Sequence, residues 1–142
     1  MKTLSWILIA LVSTLTLLLS LASMQVAYFA EDDPIGPASG PTMRSAIGES
    51  HPEAVPALRA RRGTAAAYAA GYATLMLMIV LGPYRRGDVW AWWSVLAGTL
   101  VSCGIILLRV PTVGTNLGLA AATVPLGVIV VALALDAKRL KA

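Results

Sequence analysis

Residues 89–108 read VWAWWSVLAGTLVSCGIILL, with no charged side chain from Val89 to Leu108. A helix of about 18–25 apolar residues is long enough to cross a hydrocarbon core of roughly 30 Å. Three further stretches share these properties: Leu4–Tyr28, Thr64–Leu81 and Val113–Leu135. Together they predict an all-α integral membrane four-helix bundle, read as a single domain over residues 1–142 with a polar loop at 29–63 between the first two helices. The chain is 58% apolar and 13% charged, against about 45–50% and 25% in an ordinary globular domain.

The absence of charge inside the spans excludes whole function classes. Pumps, proton relays and most ion-coupled carriers place ionisable groups at depth. The net charge of +4 is not read as a nucleic-acid footprint, because the basic residues flank the spans, where they set orientation and meet anionic headgroups. Membrane lipids are the expected partners, with other membrane subunits or further copies of the chain beside them. With the N-terminus inside, the cytoplasmic face holds Lys2, Arg85, Arg86, Lys138, Arg139 and Lys141, and the opposite face Arg44, Arg59, Arg61, Arg62 and Arg109. That thin margin places both termini on the cytoplasmic side of a plasma (inner) membrane. The first stretch also has a second reading, a signal peptide cut after Ala30; a retained helix is favoured because the apolar run exceeds the usual leader core.

The connections are marked by turn residues. Pro34, Gly36, Pro37, Gly40 and Pro41 make an irregular linker. Ser50-His51-Pro52-Glu53 has capping-box spacing and predicts a helix from near His51 that continues into the second span. Gly82 and Pro83 are expected to stop that helix, and Asp88 to cap the next. Arg109-Val110-Pro111-Thr112 is expected to be the short link between spans three and four. Pro125 is expected to kink the last helix.

In a bilayer, helices associate through close fit, and small residues four apart let backbones approach. Such rows are Gly63, Ala67 and Gly71; Ser94, Gly98 and Ser102; and Gly114, Gly118 and Ala122. The first span carries Ser13, Thr16, Ser20 and Ser23 on one face. Internal packing is the favoured use of these faces, and subunit contact is the other.

Trp90, Trp92 and Trp93 follow Arg85 and Arg86 directly. Indoles favour the headgroup level and arginines meet phosphates there, so these residues are read as interface anchors. A lipid-headgroup site is the sharper alternative. The stretch Arg85-Arg86-Gly87-Asp88-Val89-Trp90-Ala91-Trp92-Trp93 resembles an RRGxxWAWW signature of small, uncharacterised four-span bacterial membrane proteins. The resemblance covers about residues 55–135 and implies the four-span fold with no established activity.

Candidate chemistry is sparse. One histidine, His51, lies in the polar loop, and one cysteine, Cys103, lies mid-span. No set converges as metal sites require, and no cofactor, catalytic or metal-binding residue is expected. The function that follows is a non-enzymatic accessory or assembly subunit packing against other membrane proteins. The alternative is a binder or carrier of a hydrophobic ligand or lipid.

Overall fold

The computed structural model describes residues 2–30, 41–42, 44–48, 50–114 and 119–141. They are helical, with no strand among them: α1 Lys2–Phe29, α2 Ala54–Ile79, α3 Val89–Leu107, α4 Arg109–Val113 and α5 Leu119–Leu135. Short helical turns occupy Arg44–Gly48 and Ala137–Lys141. Among the described residues, three segments are long and apolar enough to cross a membrane: Leu4–Phe29, Ala54–Tyr84 and Val89–Val113. The fourth apolar helix, Ala122–Leu135, is shorter.

Several expected boundaries move. The expected stop at Gly82-Pro83 is a π-helical turn, Val80–Tyr84, that carries α2 onward. The wider turn tolerates Pro83, whose ring would crowd the carbonyl four residues back in a regular helix. The helix ends one turn later, at Gly87, with φ +107°. There the Gly87 amide reaches the Tyr84 carbonyl and the Asp88 amide the Pro83 carbonyl, both at 3.1 Å, the paired bonds of a glycine-terminated helix. Asp88 does occupy the position before α3, but its side chain makes no capping bond.

The expected link at 109–112 is also helical, because Pro111 falls in the first turn of α4, where its missing N–H costs little. The break comes at Gly114, in the left-handed region at φ +68°. The fourth span therefore does not begin at Val113, and Gly114 terminates α4 rather than lining a helix contact. Gly118 lies outside the described residues. At the other end, α2 begins at Ala54, close to the start expected near His51, and runs unbroken into the second apolar stretch.

The chain divides into two compact units. The first comprises Met1–Thr14 and Thr74–Ala142. Here α3 packs along α5, and the buried residues of α3 are Ala91, Trp92, Val95, Thr99 and Cys103. The small row expected inward, Ser94, Gly98 and Ser102, is half-buried instead. The Ser94 and Ser102 hydroxyls bond back to the carbonyls of Trp90 and Gly98, so they spend their polarity within their own helix. Ala122 is buried, as are Ser5, Ile9 and Ser13 of α1.

The second unit, Leu15–Ala73, holds the end of α1 and the start of α2. Ser20, Ala27, Ala66 and Ala73 are buried in it, and Thr16 and Ser23 half-buried. Gly63 is buried too, under the ring of Tyr28: a Cβ at Gly63 would fall 2.3 Å from that ring. Ala67 and Gly71 of the same row face outward, and nothing lies within 4 Å of where a Gly71 side chain would be.

Candidate interface site

The turn from Tyr84 to Trp93, which the sequence singled out, does two separate jobs. The π turn at the end of α2 directs Tyr84 fully inward while Arg85 and Arg86 stay exposed. The Tyr84 hydroxyl lies 2.7 Å from Ser5 Oγ, and Ser5 Oγ donates to the Ala132 carbonyl, also at 2.7 Å. Ser5 has one hydroxyl hydrogen and spends it on Ala132, so the Tyr84 hydroxyl is the donor to Ser5.

Trp92 is 8% exposed, and its indole N–H donates to the Leu133 carbonyl at 3.1 Å. Ala132 and Leu133 lie in the last turn of α5, where carbonyls lack partners within the helix. A hydroxyl from α1 and an indole from α3 thus fasten the end of α5. The Asp136 amide also reaches the Leu133 carbonyl, at 3.1 Å. Asp136, grouped with the basic tail by its sequence position, has a buried side chain.

The three tryptophans expected to share the interface therefore separate. Trp90 and Trp93 are 57% and 54% exposed, while Trp92 is inside. Trp93 meets Trp92 edge to face, with ring centroids 4.9 Å apart, which ties the outer ring to the buried one. The Arg85 guanidinium lies over the ring of Trp6, 5.0 Å from its centroid, a cation–π arrangement.

Ser5, Trp6 and Asp136 were missed by sequence reasoning. Ser5 had one available signal: with Ile9 and Ser13 it forms a row at spacing four on α1. Trp6 had none, because an isolated aromatic in an apolar run does not reveal which loop returns to it.

In the second unit, two arginines that sequence reasoning used only as orientation charges make specific bonds. Arg59 Nε donates to the Ala27 carbonyl at 3.0 Å, and a terminal Arg59 nitrogen donates to the Ala30 carbonyl. Arg62 Nε donates to Ser23 Oγ at 3.2 Å. Arg59 thereby caps the end of α1, where a cation also complements the helix dipole. Beside it is a hollow of about 330 Å³ lined by Ala27, Tyr28, Val55, Pro56, Arg59 and Ala60.

Among the described residues no three His, Cys, Asp or Glu side chains gather as a metal site would need. His51 Nδ1 lies 3.6 Å from a Glu53 oxygen, both on the surface, and Cys103 is buried and unpaired as a thiol. The arrangement is suited to fastening helix ends and presenting cations and indoles outward. Comparison with protein-family models, with curated proteins and with solved structures finds no match to this chain.

Proposed function

We propose that this chain is a non-enzymatic integral membrane protein of the plasma (inner) membrane, a four-helix bundle with both termini on the cytoplasmic side. In this reading it serves as an accessory or assembly subunit, packing against other membrane proteins or further copies of itself. The supporting observation is its apolar exterior. Leu11, Leu15, Leu18 and Leu19 are exposed on α1, Tyr68, Leu75 and Met78 on α2, and Leu100, Val101 and Ile105 on α3. Exposed large apolar side chains in this number on three helices call for lipid or a partner helix. A place for a partner is suggested on α2, where exposed Ala67 and Gly71 leave the backbone approachable.

The test is co-purification in mild detergent of the tagged full chain and its Gly71→Leu variant. Because space is open around Gly71, leucine there should leave thermal stability unchanged while reducing recovery of the partner several-fold. Unchanged recovery would remove the α2 face from the proposal. A second reading, a carrier of a hydrophobic ligand, has the hollow beside Arg59 in its favour. It would be supported by a bound amphiphile, seen by native mass spectrometry, that is lost on Ala60→Leu.

A further inference from the structure

Arg59 and Arg85 are held in two different ways. Arg59 spends its N–H groups on the carbonyls of Ala27 and Ala30. Arg85 is held instead by the face of an aromatic ring, that of Trp6. A guanidinium carries five N–H donors around its edge, and a cation–π contact pairs none of them with an oxygen acceptor. Among the described residues none of the Arg85 side-chain donors has a protein acceptor, and neither Arg85 nor Arg86 forms an ion pair. Arg85 is thus exposed, oriented and unspent. A planar guanidinium in that condition matches two oxygens of a phosphate.

The surroundings indicate which phosphate. Arg86 adjoins Arg85 and is exposed. Trp90, in the first turn of α3, has more than half its surface outward, and Ile7, next to Trp6 on α1, is an exposed apolar residue. Paired cations together with exposed indole and aliphatic side chains offer both chemistries of a lipid, the charged headgroup and the acyl chain. A soluble phosphate would have no use for the aliphatic part.

We propose that the Arg85–Trp6 stack, with Arg86 and Trp90, is a docking site for the phosphate of an anionic glycerophospholipid. Arg85 makes the bidentate contact and Trp6 fixes its plane. Arg86 adds charge, which disfavours zwitterionic headgroups, and Ile7, one residue deeper along α1 than Trp6, receives the start of an acyl chain. The proposal rests on the membrane reading above and not on the accessory role.

The full chain is purified in mild detergent from carbonate-washed membranes and titrated with dioleoyl phosphatidylglycerol, the one-lipid adduct being followed by native mass spectrometry. Wild type should bind this lipid more tightly than dioleoyl phosphatidylcholine. Arg86→Gln should weaken binding about five-fold, the size expected of one basic residue at an anionic surface, and Arg85→Gln should weaken it further. Trp6→Leu changes no charge but frees the guanidinium, so it should also weaken binding, as should Arg85→Lys, which keeps the charge and loses the fork. Trp6→Phe keeps a ring face and should restore wild-type binding.

Wild-type affinity in both Trp6→Leu and Arg85→Lys would reduce the site to diffuse charge and overturn the proposal. Equal binding of the two lipids would do the same. Displacement of the lipid by inorganic phosphate at constant ionic strength would reassign the site to a soluble anion. A chain absent from carbonate-washed membranes would overturn the membrane reading itself, and this site with it.

Discussion

Trp92 shows what one indole hydrogen decides. Trp90, Trp92 and Trp93 are chemically alike and nearly adjacent, yet only Trp92 turns inward, where the Leu133 carbonyl accepts its N–H. A bond of this kind contributes about 0.5–1.5 kcal/mol in water and about 0.6 kcal/mol between membrane helices. Trp92→Phe should therefore lower thermal stability in detergent by about 1 kcal/mol, while Trp90→Phe and Trp93→Phe should leave it unchanged. Circular dichroism melts of the three variants check this, and equal melting temperatures would contradict the division into one buried and two outer indoles. Sequence reasoning grouped all three because their spacing from Arg85 carries no information about α5, some forty residues away.

At the scale of elements, glycine and proline were read correctly as punctuation but placed at the wrong mark. Gly82 and Pro83 sit inside a π turn that continues α2, and the stop is Gly87, whose φ of +107° a side chain would oppose. Gly87→Ala should cost about 1–3 kcal/mol, the range for a residue held in a sparsely populated backbone region. Gly82→Ala should be near neutral, because nothing lies within 4 Å of the added methyl. Unfolding of both variants in detergent measures the difference; a Gly82 variant as damaged as the Gly87 variant would argue that the π turn, and not Gly87, governs the ending. Whether Pro83 breaks a helix or is absorbed depends on whether the turn around it widens; here it does, and the same turn carries Tyr84, whose hydroxyl meets Ser5.

For the molecule as a whole, the basic residues carry the orientation argument, and the structure changes what some of them mean. Arg59 and Arg62 reach the end of α1 and Ser23, so their positions are explained by helix capping and side-chain pairing without reference to topology. Their charges stay in the count, so the thin margin from Lys2, Arg85, Arg86 and the lysines and arginine after Asp136 still motivates the proposal of both termini inside. In a Cys103→Ser background, Ala142→Cys should resist an impermeant maleimide in intact cells, and Ser50→Cys should react. The reverse pattern would invert the proposed topology.

Helicity of the described residues and the places of the long apolar helices are legible in the linear chain. Helix formation over such stretches is local: backbone groups pair four residues apart, and a run of about 20 apolar residues declares its own length. The sequence also marked the Tyr84–Trp93 turn as the place where cations and indoles meet. The inward faces of α2 and α3, by contrast, emerge only in the folded molecule, whereas the serine face of α1 could be read from its spacing. On the proposed membrane reading, lipid and a neighbouring helix are almost equally apolar, so hydrophobicity does not mark the inner side. The choice passes to hydrogen bonds between residues far apart in the chain. Ser5 reaches the Ala132 carbonyl, 127 residues away, and Trp92 the Leu133 carbonyl. Arg85 settles over Trp6 because the fold brings the start of α1 beside the end of α2. None of these pairings has a spacing, a period or a composition by which a linear reading could find it.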